Sequence, residues 1–276
     1  RWLRAAQEQA SRHGYIVLIC DASLSAETAR AQLRWLLEER VAGLLLAGDI
    51  GDAETIAGFD AAGIPVVPHA AVSSARRSTR HDAERPATLE AFRHAVRLGH
   101  RRIAYLAIAE RAGMRAAALR ELRVDCLRQA LLEVGAAEDA LRVVTLAHAD
   151  QCAAEVARLV RAEHAPTFFV AGTGELTAPL LLALAEAERA IPDDVSVLAF
   201  GEGGWEMAYR PPISVVRHDY AGIAAALTEY LIARIEDWQE VPVVPPFPSE
   251  FVQRESIGPA PAPRRRRTAP AERRRR

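Results

Sequence analysis

The sequence predicts an α/β fold built from doubly wound parallel sheets, and three observations carry that expectation. Short continuous apolar runs rich in Val, Ile and Leu recur along the chain. Helical patterns with apolar residues at i, i+3 and i+4 separate them, and the alternation persists over 276 residues, enough for one large core or two modest ones. A strand that is apolar at every position has both faces of its sheet covered, as crossover helices cover them.

The elements follow in order. Arg1, Trp2, Leu3 and Arg4 open an amphipathic helix, and Gly14 stands where a left-handed residue stops it. Strands are expected at residues 15–20 (YIVLIC), 43–46, 64–67, 103–107, 167–171 and 195–200. Helices are expected at 26–39, where Leu33, Leu36 and Leu37 form the apolar stripe, and at 87–98, 122–134, 152–161 and 176–188. Ser25 is placed to cap the helix at 26–39, with Glu27 in its first turn, while Gly99 and Gly135 each follow a helical run. The chain opens directly in a helix, with no Met and no strand before it, and reads as a fragment.

Composition narrows the function classes. Half of the residues are apolar, as in a globular protein. No run reaches the roughly 18–20 uncharged apolar residues of a membrane span, and the first residues lack the apolar stretch of a signal peptide, so the expected location is cytoplasmic and no membrane partner is expected. Cys20, Cys126 and Cys152 are odd in number and have no CxxC spacing, which argues against a disulfide framework and a zinc site. The formal net charge of −1 divides unevenly: residues 259–276 carry eight Arg and one Glu, leaving −8 on residues 1–258. An acidic body is a poor holder of nucleic acid. The tail, with arginine runs at 264–267 and 273–276, reads as a disordered basic arm for nucleic acid or acidic surfaces, or equally as a solvated tail in a chain that contains no lysine.

Four stretches resemble the lactose-repressor/galactose-repressor (LacI/GalR) family of bacterial transcription regulators, in that family's order and spacing. RVAGLLL at 40–46 with GIPVV at 63–67 is similar to its third-strand and fourth-strand region, and LGHRRIA at 98–104 to the element leading into its second lobe. IPDDVSVLAFG at 191–201 followed by PPISVVR at 211–217 resembles its next motif, and FVQRES at 251–256 its terminal strand. The resemblance implies two lobes of periplasmic-binding-protein type I joined by three crossovers, near Arg101, Arg217 and Trp238. It gives a first lobe of residues 1–101 plus 218–238, its first strand missing, and a second lobe of 102–217 plus 239–258, followed by the tail. It also implies a homodimer and a small-molecule effector, a sugar or small polar metabolite, in the interlobe cleft. Operator DNA would be reached only through an N-terminal helix-turn-helix head that precedes these residues.

Ligands of open α/β sheets bind beyond the carboxyl ends of the strands. This points to Asp21, Asp49, Asp82, Arg123, His148, Thr173, Glu202 and His218. LRVDCLRQAL at 122–131 overlays the family segment whose Arg reaches the effector, so Arg123 is the expected anchor, the other reading being a surface helix Arg. Cys126 replaces the family Gly, either as a reactive thiol or as a small buried residue. His218 stands where many members carry Gln and is read either as a pocket residue or as a structural one. Trp205 is placed either to stack on a ligand from a glycine-rich loop or to cover the lobe surface.

The family's usual polar set is largely replaced. Ala171, Gly172 and Thr173 stand for Ala-Asn-Asp, Gly201 for the sugar-binding carboxylate with Glu202 beside it, and the chain contains no Asn at all. Pro86 and Ala87 break the pattern around Asp82, which weakens that candidate. The effector is therefore not expected to be an ordinary hexose held in the ordinary way. No GxSxG, HExxH, dinucleotide fingerprint or Cys/His metal set occurs, so neither an enzyme nor a cofactor is expected. The expected function is the effector-sensing and dimerising domain of a transcription regulator. Two alternatives stand beside it, a stand-alone solute receptor and a dimerisation scaffold whose pocket has decayed.

Overall fold

A computed structural model describes residues 1–21, 25–46, 53–68, 80–109, 114–245 and 247–262. Its strands fall into two sheets. The larger has six strands in the order β4-β3-β5-β6-β7-β8: β3 (Ile103–Ile108), β4 (Leu141–Leu146), β5 (Phe168–Ala171), β6 (Ser196–Phe200), β7 (Ser214–Arg217) and β8 (Glu250–Val252). All neighbours are parallel except the last pair, in which β8 returns antiparallel along β7. Parallel neighbours require long crossovers, and α5 (Met114–Leu132), α6 (Cys152–Arg161) and α7 (Gly174–Glu186) carry those from β3 to β4, β4 to β5 and β5 to β6, while α4 (Arg80–Arg97) leads into β3.

Strand alternation decides which helices cover which face. Ile103, Tyr105, Phe168, Val170, Leu198, Phe200 and Val216 pack with Ala91, Phe92 and Val96 of α4 and Leu127 of α5. Their alternate neighbours Ala104, Leu106, Phe169, Ala171, Val197, Ala199 and Val215 pack with Val156 and Leu159 of α6 and Leu176, Leu180 and Leu184 of α7. A side chain the size of Leu or Phe removed from water contributes about 1.5–3 kcal/mol, so this two-sided layer carries most of the apolar stabilisation.

The smaller sheet pairs β1 (Leu44–Leu46) with β2 (Val66–Pro68) in parallel. The same alternation recurs: Leu44 and Leu46 meet Leu33 and Leu36 of α2 (Ala26–Glu38) and Phe59 of α3 (Ala53–Ala61), while Leu45 and Val67 meet Ile223, Leu227 and Leu231 of α8 (Tyr220–Ile235). The first helix, α1 (Trp2–Arg12), lies along α8. Gly43 makes the close approach of α8 possible, since a Cβ there would stand 2.8 Å from Ile235 Cδ1 and 2.9 Å from Leu231 Cδ1.

Helix ends follow the expected chemistry. The Ser25 hydroxyl accepts from Thr28 N at 3.0 Å, and Gly14, Gly99 and Gly135 have φ of 76°, 94° and 65°. Several expectations are corrected. Residues 15–20 form no strand; Ile16, Leu18 and Ile19 are 89, 59 and 62 % exposed. An apolar β-branched run becomes a strand only when a neighbour takes its backbone N–H and C=O groups, and among the described residues β1 and β2 pair only with each other.

Helix α4 begins at Arg80, ahead of the expected residue 87, with Pro86 inside it. It also packs on the six-stranded sheet, so the body of that sheet takes in residues the expected boundary at 101 left in the first lobe. The passage between sheets therefore precedes α4, because the apolar stripe of Ala87, Ala91, Ala95 and Phe92 finds its covering partner there. A return to the small sheet follows β7 at Arg217, where α8 begins three residues later and covers β1 and β2. The apolar stripes of α2 and α8 are used in this core, though Trp35 of α2 remains 46 % exposed. Cys126 and Cys152 are buried and Cys20 is exposed, all three as free thiols. No helix among the described residues is long and apolar enough to cross a membrane.

Candidate functional site

Because β3 to β7 are parallel, their carboxyl ends lie along one edge of the sheet, and connections leaving that edge carry His148, Thr173, Glu202 and His218. Arg123, from the middle of α5, is buried beneath this edge with 7 % of its surface exposed. Its guanidinium is fully engaged. Nε and Nη2 both donate to the Glu84 carboxylate, the second at 3.0 Å, and Nη1 donates to the Gly172 carbonyl at 2.6 Å. Its central carbon sits 3.9 Å from the centre of the Phe200 ring, a cation–π contact at the end of β6.

Glu84 is wholly buried on α4. Its Oε2 also faces His218 Nε2 at 3.2 Å, and His218 Nδ1 lies 2.7 Å from the Ser249 hydroxyl. With the ring proton on Nε2, directed at Glu84, Nδ1 accepts from Ser249. Ser249 N in turn donates to the Ala83 carbonyl at 3.0 Å. Three separate stretches of chain meet here: the first turns of α4, the connection from β7 to α8, and the segment that returns to β8. These are the places where the chain passes to or from the small sheet, so the cluster clamps the joint between the two sheets.

Electrostatics explain why a carboxylate is tolerated there. Burial alone would push the Glu84 carboxyl up, but the His218 hydrogen bond and the Arg123 charge outweigh burial and bring it down to about 2. Burial likewise works against the Arg123 charge and is overcome by Glu84, leaving its pKa above the ordinary value. Tyr105, also in contact with Arg123, is shifted up by burial, which Arg123 only partly opposes. Gly172 is required by space: a Cβ would stand 2.6 Å from the Leu106 carbonyl oxygen and 2.7 Å from the Tyr105 hydroxyl.

The other expected residues divide. Glu202, after β6, is taken up by ion pairs with Arg254 and, at 3.7 Å, with Arg217, which also binds Glu250 at 2.7 Å. Thr173 is exposed at the N-cap of α7 without a capping bond from its hydroxyl, and His148 is exposed at the start of a short 3-10 turn after β4. Trp205 is 40 % exposed on a loop that Glu206 fixes from inside, accepting from Gly203 N at 2.9 Å and Gly204 N at 2.8 Å. Asp82 falls within α4 with its side chain outside the described set, and Asp49 lies outside the described residues altogether. Thus Arg123 and His218 are brought together through Glu84, while Glu202, Thr173, His148 and Trp205 occupy the same strand-end edge.

Sequence reasoning passed over Glu84, Ser249, Tyr105 and Arg254. Glu84 had a readable signal, since it falls on the apolar stripe of α4, three and four residues before Ala87 and Thr88 and seven before Ala91, all buried. A carboxylate on such a stripe demands a buried partner. Ser249 and Arg254 carried no comparable signal, because their roles arise only when the last strand folds back beside β7. Among the described residues, no group of three side chains is arranged to hold a metal ion.

The family described as periplasmic binding protein-like domain matches residues 92–257. A probable opine utilization operon repressor from Rhizobium rhizogenes is 33 % identical over 104 residues, 37 % of this chain and 52 % of that protein. The transcriptional repressor PurR of Glaesserella parasuis is 23 % identical over 261 residues, 92 % of this chain and 75 % of that protein. The chain thus spans about half the length of the first of these relatives. Among solved structures, a LacI-family transcriptional regulator from Enterococcus faecium with bound ribose aligns with a TM-score of 0.75 at 20 % identity, covering 94 % of this chain and 93 % of the other.

Proposed function

This chain belongs to the family of periplasmic binding protein-like domains, and from that premise we propose that it is the effector-sensing and dimerising domain of a bacterial transcription regulator of LacI/GalR type. A small polar molecule enters at the carboxyl edge of the six-stranded sheet, between the two sheets, and changes their relative setting. In this reading the first lobe comprises α1 to β2 with α8, and the second α4 to β7 with β8. The whole protein is a cytoplasmic homodimer that meets operator DNA through a head domain outside these 276 residues, and this domain performs no catalysis.

The observation that carries the reading is the Glu84–Arg123–His218–Ser249 cluster, in which a buried carboxylate ties three inter-sheet passages to one guanidinium. Such a joint has two ways to satisfy its charges, with Glu84 or with a ligand, and a ligand that binds one setting better shifts the population toward it. Two of the matching relatives are repressors and the E. faecium regulator holds ribose, which supports regulation by a small polar effector. Glu202, Thr173, His148 and Trp205 line the approach. Arg123 and His218 anchor the ligand once Glu84 is partly displaced.

A thermal-shift screen of pentoses, hexoses, nucleobases and small organic acids on the purified chain tests this. At a ligand concentration of about one hundred times Kd, binding to the folded state adds about 2.7 kcal/mol. At least one class raises the melting temperature, and Arg123→Ala abolishes that rise. A rise that survives Arg123→Ala removes Arg123 from the site, no stabilisation by any class favours a scaffold, and a monomer in sedimentation removes dimerisation through this domain.

A further inference from the structure

Several arginines of this chain are neutralised by carboxylates. Arg4, Arg93, Arg123, Arg128, Arg158, Arg217 and Arg254 each face a carboxylate. A different arrangement occupies the opposite edge of the six-stranded sheet, at the amino ends of β3, β4 and β5. A recess of about 450 Å³ opens there, lined among others by Arg101, Arg102, Arg142, His164 and Asp139. Its walls are the turn before β3, the connection from α5 to β4, and the connection from α6 to β5.

Two of these guanidiniums are set in place by neutral groups. Arg101 Nη1 donates to the carbonyls of Val96 and His100 at 2.6 and 3.1 Å, and Arg102 Nε donates to the Ala165 carbonyl at 2.8 Å. A carbonyl fixes a guanidinium without cancelling its charge. Arg142, on β4 opposite Ala104 of β3, adds a third cation to the same recess. Among the described lining residues, three arginines face one carboxylate, Asp139, in a body whose residues 1–258 carry a net −8. Cationic charge held in a concave wall concentrates anions, and the planar fork of a guanidinium matches the oxygens of a phosphate.

We propose that this recess binds the phosphate monoester group of a small phosphorylated metabolite, as a second ligand site at the far edge of the sheet from the effector cluster. The ligand's phosphate oxygens accept from Arg101, Arg102 and Arg142, and the His164 imidazole offers a further polar contact to the organic part. The volume lies within the lower part of the roughly 300–1,000 Å³ usual for small-molecule sites, which suits a sugar phosphate. The inference is independent of the identity of the effector.

Calorimetric titration of the full chain with inorganic phosphate and with ribose 5-phosphate, at constant ionic strength and with chloride as the control anion, tests it. The expected result is one site per chain for both phosphates. Arg142→Gln and Arg102→Gln each weaken it about tenfold or more, whereas Arg93→Gln, outside the recess, leaves it unchanged. Circular dichroism and the melting temperature without ligand establish that each variant is folded, and agreement between the two recess variants guards against damage by either one. No heat beyond the chloride control overturns the proposal. So does binding that survives both recess substitutions but vanishes when residues 263–276 are removed, which assigns the phosphate to the terminal arginine run instead.

Discussion

The two sheets obey one rule and differ in depth. In both, alternate strand residues face helices on opposite sides, yet among the described residues the small sheet has two strands of three residues each and the large one has six strands. Phe168 and Phe169, adjacent on β5, are each fully buried on opposite faces, so the central strand of the large sheet is enclosed by two helical layers. The small sheet divides its fewer apolar contacts between α2 and α3 on one face and α8 on the other. Burial thus grows with the number of strands a helix layer can cover, and the cluster around Glu84 joins a deep body to a shallow one.

The sharpest test of that difference is Phe168→Ala, which opens a cavity between β5, α4 and α5 and costs about 4–5 kcal/mol of global stability in urea titrations. Phe59→Ala removes an equally buried ring from the small sheet. Its loss should appear in hydrogen exchange as opening confined to residues 25–68, with amides of β3, β5 and β6 still protected. Uniform opening across both sheets would erase the distinction.

At the joint, Glu84→Ala leaves Arg123 buried without its carboxylate and lowers stability by about 3–4 kcal/mol, read by the same titrations, while Glu84→Gln keeps one hydrogen bond and costs less. Acid exposes the same dependence. Because the folded Glu84 carboxyl is held down to about 2 from an ordinary 4.5, its contribution is complete above pH 4.5 and lost as the pH falls toward 2. His100 titrates higher. Burial lowers it from 6.5 to about 4, so the folded state favours the neutral ring, and stability declines as the pH falls from 6.5 through 4. His100→Gln should flatten the upper part of the acid-unfolding curve and Glu84→Gln the lower part, and a change in the wrong window refutes the assignment.

Smaller effects follow. Gly172→Ala forces a methyl into the space between Leu106 and Tyr105 and displaces the carbonyl that Arg123 uses, at a cost of about 1–3 kcal/mol in thermal unfolding. Ser25→Ala removes the cap of α2 and costs about 1 kcal/mol, confined by hydrogen exchange to the small-sheet body.

The sequence alone determined whatever depends on local pattern. Apolar runs, helical stripes and punctuating glycines located α1, α2, α6, α7, β1, β3, β5 and β6 within a few residues, and the alternation of types dictated a doubly wound arrangement. It also placed Arg123, Thr173, Glu202 and His218 at strand ends or on helices near them, because position along a parallel strand fixes which edge a residue occupies. Tertiary structure decided what depends on partners. Residues 15–20 have a strand's composition and no strand beside them, so they pair with no sheet; α4 joined the large sheet because its stripe found cover there. Glu84, one carboxylate among many in the sequence, became the centre of the joint when three distant segments closed over it, since a buried charge is held only by groups that folding brings within hydrogen-bond distance.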